Sequence, residues 1–119
     1  MKDHNNYSCT CRLTNDPELR HTAKGKACCN FRVAVNNSYR DSEGNDQKET
    51  LYLDVVTWEG LATLCGKSLE KGKWIFLSGK LKEDQWTDND GNKRSKIKLD
   101  AKEMIFLTKP DSGFNPEED

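Results

Sequence analysis

Three stretches of the chain alternate apolar and polar side chains with the period of two that a half-buried strand requires. Residues 7–13, "YSCTCRL", set Tyr7, Cys9, Cys11 and Leu13 against Ser8, Thr10 and Arg12. Residues 27–35, "ACCNFRVAV", set Cys29, Phe31, Val33 and Val35 against Asn30 and Arg32. In "TLYLDVVTW", residues 50–58, Leu51, Leu53 and Val55 point one way and Tyr52, Val56 and Trp58 the other, so an aliphatic face backs a largely aromatic one. After Trp58 the period lengthens. Leu61, Leu64, Cys65 and Leu69 recur at helical spacing, and Gly72 stands where a helix stop is expected. The extended pattern resumes in "KWIFLSGKLKEDQW" (73–86), where Gly79 marks a bulge or bend. "TDNDGN" (87–92) carries the Asp-Gly pair of a hairpin in a loop longer than two residues, and "KRSKIKLDAKEMIFL" (93–107) is the closing strand.

Between these elements the chain is polar. "TNDPELRHTAKGK" (14–26) reads as a turn or loop, and "NNSYRDSEGNDQKE" (36–49) as a long, mobile connection. The predicted order is strand, strand, strand, helix, strand, strand. An all-β, five-stranded oligonucleotide-binding (OB-fold) barrel, with one short helix between strands 3 and 4, is the simplest closed form of that order. Residues 1–107 are expected to form this domain. Residues 108–119, "TKPDSGFNPEED", are expected to be a short acidic tail, disordered or a tether.

Composition adds bounds. At 119 residues, with 34% apolar and 33% charged, a single domain with a modest core is expected and a large buried pocket is not. The formal charge of −1 conceals an asymmetry: residues 1–110 hold all 19 Lys and Arg against 16 acids, and residues 111–119 add four acids and no base. A mildly cationic body therefore carries an anionic end, and the near-neutral total does not exclude a polyanionic partner. The opening "MKDHNN" has no apolar core of a secretory signal, and no eighteen apolar residues run together, so a cytoplasmic protein without a membrane span is expected.

Five cysteines, an odd number, fit free thiols. The spacings C-x-C at Cys9 and Cys11 and C-C at Cys28 and Cys29 lack the paired C-x-x-C of tetrahedral sites, so no metal is expected. No cofactor and no enzymatic activity are expected either. His4 lies in the terminal arm, His21 in a turn, and Asp16 with Glu18 and Asp88 with Asp90 read as turn carboxylates.

The chemistry on offer is aromatic and basic. Tyr52 and Trp58 lie six residues apart, roughly 20 Å along a strand, too far to grip one small ligand together. Tyr39 precedes the polar connection and Trp86 begins the hairpin loop, with Arg40, Lys80, Lys82, Lys93 and Arg94 near these rings. Arg32 faces outward by parity. Rings so spaced suit successive bases of one single strand, with the bases' phosphates tracked by Lys and Arg. The same parity also suits a protein interface, where aromatics are enriched.

The motifs "DPELR" (16–20), "NFRVAV" (30–35), "SYRD" (38–41), "LYLDVVTWEGLATLCGKSLEKG" (51–72), "LSGKL" (77–81) and "WTDNDGNKR" (86–94) occur in the order found in the bacterial single-stranded DNA-binding protein family. The chain resembles that family over about residues 6–107. The resemblance implies a homotetramer of OB barrels that coats and protects single-stranded DNA during replication, recombination and repair, in the nucleoid-associated cytoplasm. It places base-stacking rings at Tyr39, Tyr52, Trp58 and Trp86 and phosphate contacts at Arg40, Lys71 and Lys82. It also implies that an acidic tail recruits replication or repair proteins.

Departures from the family pattern carry expectations too. Asp54 stands where the family commonly has a base, and "KEDQ" before Trp86 holds acids, so phosphate attraction should be weakened and less salt-dependent. The first strand, "NYSCTC", is polar where an aliphatic subunit contact is usual. Two other readings remain open at this point: an OB module for single-stranded RNA, since stacking does not tell RNA from DNA, and a protein-interaction OB module with weak nucleic-acid affinity.

Overall fold

The computed structural model describes residues 1–107. The strands are β1 (Tyr7–Leu13), β2 (Glu18–His21), β3 (Ala27–Arg40), β4 (Asp46–Trp58), β5 (Trp74–Thr87) and β6 (Lys93–Phe106), with one helix, α1 (Glu59–Ser68). They form a single sheet in the order β1-β5-β6-β4-β3-β2. A further pairing, Arg12 with Ala34 and Leu13 with Val33, joins β1 to β3 and closes the five strands β1, β5, β6, β4 and β3 into a barrel. β4 and β6 run parallel through Asp54–Lys98, Val55–Leu99 and Val56–Asp100, and the other pairings are antiparallel.

The alternating rows meet inside. Ile75, Leu77, Leu99 and Val33 are fully buried among Cys29, Phe31, Leu53 and Val55. Each large aliphatic side chain removed from water in this way contributes roughly 1.5–3 kcal/mol. Thr57 sits in the same layer and its hydroxyl donates to the Cys29 carbonyl at 3.1 Å, so the buried polar group is satisfied. α1 covers the barrel with Ala62 and Cys65, while Leu64, on the predicted apolar stripe, is exposed. The helix ends at Ser68, before Gly72. That glycine instead takes φ +89 in the following turn, where its N–H donates to the Leu13 carbonyl at 2.9 Å.

Gly79 has the role its pattern predicted. The β5–β6 register shifts between Ser78 and Gly79, and a side chain at Gly79 would collide with the Asp100 carbonyl oxygen and lie 2.8 Å from Ala101 Cα. Only a residue without Cβ allows the two strands to coil this closely.

Three expectations need correction. The helix follows Trp58 as predicted, but it lies between β4 and β5 and not between strands 3 and 4, because Glu18–His21 forms an additional strand on the outer edge of β3. All four β2 side chains are exposed, Leu19 only resting its side chain against Gly66 of α1, so no burial imposes an alternation to read. The stretch 36–49 is no long connection: β3 and β4 continue as one ribbon, with every pair in register out to Arg40–Asp46. Past the barrel both faces are wet, and Leu51, 49% exposed, marks where the core row runs out. Val56 is buried although it shares the face of Tyr52 and Trp58.

Residues 22–26, 41–45 and 88–92 make the same five-residue turn. The first residue's N–H donates to the last carbonyl at 2.9 Å in each, and the glycine N–H returns to the first carbonyl at 2.8 to 3.1 Å. Gly25, Gly44 and Gly91 supply the positive φ this closure demands. Asp41 and Asp88 brace two of the turns, each accepting backbone N–H bonds from the residues two and four positions on, at 2.9 to 3.0 Å. The bond from Asn45 holds the Asp41 carboxyl below its usual range; for Asp88 the first cause is Arg94, whose Nε donates at 2.8 Å. Asx-braced turns of this kind stiffen both ribbon tips. The predicted tail, 108–119, lies outside the described residues.

If Gly79 is what lets the barrel close, Gly79→Ala is expected to cost about 3 kcal/mol in urea unfolding, the upper range for a forced steric insertion. A loss of under about 0.5 kcal/mol, the ordinary surface value, would contradict the close approach.

Candidate nucleic-acid interface

The β3–β4 register decides which side chains meet on the outer face. Cys28, Asn30, Arg32 and Ala34 stand opposite Trp58, Val56, Asp54 and Tyr52. Ala34 is too short to cover Tyr52, whose side is left open, and the residue is 56% exposed. The Arg32 guanidinium lies over that ring, 5.2 Å from its centre, and its Nε is 3.8 Å from the Asp54 carboxylate. Lys96 of β6 pairs with the other oxygen of Asp54, and Lys98 pairs with Asp84 at 2.9 Å. Arg32, Asp54, Asp84, Lys96 and Lys98, with Asn15, Glu18 and Asn30, line a shallow hollow of about 320 Å³. Its bases, Arg32, Lys96 and Lys98, are matched by Glu18, Asp54 and Asp84.

A second hollow, about 630 Å³, opens around Trp58 at the end of β4. The β2–β3 turn supplies Lys24 and Lys26, β5 supplies Lys82, and β6 supplies Asp100 and Lys102. Lys26 lies 5.9 Å from the centre of the half-buried Trp58 ring. Asp100 is 1% exposed, with Lys82 at 2.8 Å and Lys102 at 3.3 Å from its Oδ2. Burial would raise its pKa, but the two ammonium groups outweigh that cost and hold the carboxyl below its usual range. Four lysines line it against Asp100, with Glu59 4.0 Å from Lys26 at its margin, so the hollow is net cationic.

A third hollow, about 420 Å³, lies along the outer end of β5 and β6, lined by Trp86, Lys93 and Arg94 with Glu83, Gln85, Thr87 and Ser95. Trp86 stands opposite Arg94 and is 47% exposed.

The predicted residues thus divide. Tyr52 with Arg32, Trp58 with Lys82, and Trp86 with Lys93 and Arg94 are each brought together. Tyr39 and Arg40 occupy the ribbon tip, where Tyr39 opposite Gln47 is 47% exposed and Arg40 pairs with Asp46 at 3.4 Å. By parity Tyr39 continues the row of Val33 and Val35, the ribbon face opposite Tyr52. Lys80 adjoins the amino-terminal arm, whose Asn5 brackets Leu81 with bonds of 2.9 and 3.2 Å. Lys71 follows α1, its N–H held by Asp16 at 2.9 Å, and lines none of the three hollows.

Sequence reasoning passed over Lys24, Lys26, Lys96, Lys98 and Lys102. For Lys96 and Lys98 a signal existed, since they share parity with the outward Arg94. For Lys24 and Lys26 none did, because a turn's placement over Trp58 is a tertiary fact. Among the described residues no group of three or more His, Cys, Asp or Glu side chains is placed to hold a metal ion, and the five cysteines are free. No helix among them is long and apolar enough to cross a membrane.

Comparison with known proteins bears on this arrangement. The chain is 37% identical over 102 residues to single-stranded DNA-binding protein 1 of Chlorobaculum tepidum, covering 85% of this chain and 63% of that one. It is 37% identical over 97 residues to the single-stranded DNA-binding protein of Deinococcus radiodurans, covering 82% and 32%. It therefore spans less than two thirds of these relatives' length. Among solved structures, a Plasmodium falciparum SSB complex with ssDNA superposes with a TM-score of 0.86 at 21% identity, over 91% of this chain and 98% of that one, a likeness of fold. A deletion mutant of the Thermus aquaticus single-stranded DNA-binding protein gives 0.78 at 30% identity, over 88% and 51%. Residues 4–107, from the amino-terminal arm through the last strand of the barrel, match the profile of the single-strand binding protein family, and the chain belongs to that family.

Proposed function

We propose that this protein binds single-stranded DNA without sequence preference and protects it during replication, recombination and repair. The observation that carries this reading is the spacing of exposed or half-buried aromatic rings along strands, each with basic side chains beside it, in place of one enclosed pocket. Tyr39, Tyr52, Trp58 and Trp86 stack on separate bases. Arg32, Arg40, Lys80, Lys82, Lys93 and Arg94 follow the phosphates, joined by Lys24, Lys26 and Lys102 at Trp58. Lys71 is the outlying contact, reached by a strand that leaves the barrel past α1. A π-face is common to every base, so stacking tolerates any sequence, and a duplex hides those faces. Binding needs no covalent step and no cofactor. The names of the relatives, all DNA-binding proteins, support the same partner.

Self-association belongs to the reading. β1 has β5 along one edge, while β3 engages only Arg12 and Leu13, so the edge of Tyr7–Cys11 is open among the described residues. Its sequence, "YSCTC", carries none of the charges that usually blunt such an edge. A homotetramer, recruitment of replication or repair proteins through the acidic residues 111–119, and a nucleoid-associated cytoplasmic location complete the proposal.

Tryptophan fluorescence titrated with poly-dT, duplex DNA and poly-U tests the binding mode. Strong quenching by poly-dT and weak quenching by duplex are expected; equal or absent quenching with all three refutes the reading, and a preference for poly-U redirects it to RNA. One stack is worth about 1–3 kcal/mol, a range known from single-strand binding barrels themselves, so Trp58→Ala should weaken poly-dT binding by about 5- to 150-fold while remaining folded. For assembly, light scattering should return about four times the 13.6 kDa chain mass. A monomer at micromolar concentration would rule the tetramer out.

A further inference from the structure

Asp54 stands in the middle of the proposed DNA path, where a carboxylate repels phosphate. The ladder fixes it there: it is the direct cross-strand partner of Arg32 and, through the parallel β4–β6 pairing, of Lys98. One of its oxygens faces Arg32 Nε at 3.8 Å and the other takes Lys96. The same Arg32 guanidinium lies 5.2 Å from the centre of the Tyr52 ring. Asp54 thus engages two cations and steadies one of them over the ring that a base would use.

We propose that Asp54 is an intramolecular competitor of DNA phosphate: it occupies Arg32 and Lys96 and keeps Arg32 over Tyr52, so that a strand engages this station by displacing it. The proposal rests on the reading of single-stranded DNA binding above. Phosphate oxygens take the same N–H donors as a carboxylate, so the exchange leaves Arg32 and Lys96 with their bonding intact. It is also cheap, because the Asp54 side chain is 34% exposed and the ion pairs of partly solvated groups are weak. The cost falls on electrostatics. The two cations still release counterions condensed on the DNA, but the displaced carboxylate stays beside the phosphates and offsets one of their charges, so the station adds less salt-dependent affinity than its two cations alone would.

The Trp58 hollow works differently. Its acid, Asp100, is 1% exposed and engages Lys82 and Lys102, and Lys26 reaches Glu59 at 4.0 Å, so four lysines face two acids. No resident acid there takes up all the cations. A strand is therefore gripped first at Trp58 and extends to Tyr52 second, with Asp54 setting the threshold for that extension.

Asp54→Asn keeps the shape of the side chain and removes the competing charge. Removing one carboxylate leaves one more uncompensated positive charge; at about 0.7 in the slope of log K against log salt for single strands, the variant's affinity for poly-dT should rise about 5-fold more than the wild type's between 1 M and 0.1 M salt. Adding Lys96→Gln restores the station's net charge and should remove most of that gain. Glu103→Gln, the same charge change on β6 outside the three hollows, should leave the slope as it is. An Asp54→Asn slope equal to or shallower than wild type, an equal gain from Glu103→Gln, or a double variant no different from Asp54→Asn overturns the proposal. Asp54→Ser serves as a second test should Asp54→Asn fail to give a native thermal melt. Binding by the variant but not by the wild type would overturn the functional reading for the native chain and leave this inference standing; binding by neither overturns both.

Discussion

Along the ribbon formed by β3 and β4, each residue from Cys28 to Arg40 has its partner on β4, and that parity decides which side chains become core and which become surface. A slip of one residue would turn Leu53 and Val55 outward and bury Tyr52 and Asp54. The register is not free to slip, because Val33, Val55 and Thr57 are locked in the barrel and Thr57 is bonded to Cys29. The same lock carries Arg32, Asp54 and Tyr52 as one group on the outside, and it ends at Trp58. The close passage of Gly79 against Asp100 then lets β5 and β6 curl back, bringing Lys82, Lys96, Lys98 and Lys102 to that outer face.

What the sequence made legible follows from this division. Strands whose one face enters the core were readable from alternation: the rows of Tyr7–Leu13, of Cys29 to Val35 and of Leu53 and Val55 all fall where parity puts them, and Gly79 lies at the bulge. Structure held mainly by backbone pairing was not readable. β2 buries none of its four side chains, and residues 36–49 form ribbon with water on both faces, so neither left a hydrophobic period. The ribbon's order comes from its ladder and from the Asp41 turn, whose Asp-x-x-Gly-Asn spacing recurs at Asp88. That repeat was visible, but only as turn chemistry; its consequence was a rigid hairpin in place of a mobile connection.

The aromatic candidates were legible one at a time, from parity and from the family resemblance. Their surroundings were not. That Lys24 and Lys26 frame Trp58 depends on how the β2–β3 turn folds over the barrel, and that Asp100 is buried beneath Lys82 and Lys102 depends on the β5–β6 bulge. The physical outcome is two hollows with different electrostatics. The hollow around Arg32 and Asp54 balances its own charge, and the Trp58 hollow keeps an excess of lysine. Since salt screens exposed charges within about 10 Å at 0.1 M ionic strength, each station responds mainly to its own residues and little to the chain's total of −1.

The central claim, that one strand of DNA runs across these stations with bases on the separate rings, is tested most directly by mapping chemical shifts during titration of isotopically labelled protein with an oligo-dT. The account expects the Trp58 indole N–H and the backbone of the 22–26 turn to move first, followed by Arg32, Tyr52 and Asp54 and by Trp86. Shifts confined to α1 and the open edge of β1, with Trp58 and Tyr52 unchanged at saturation, would contradict it.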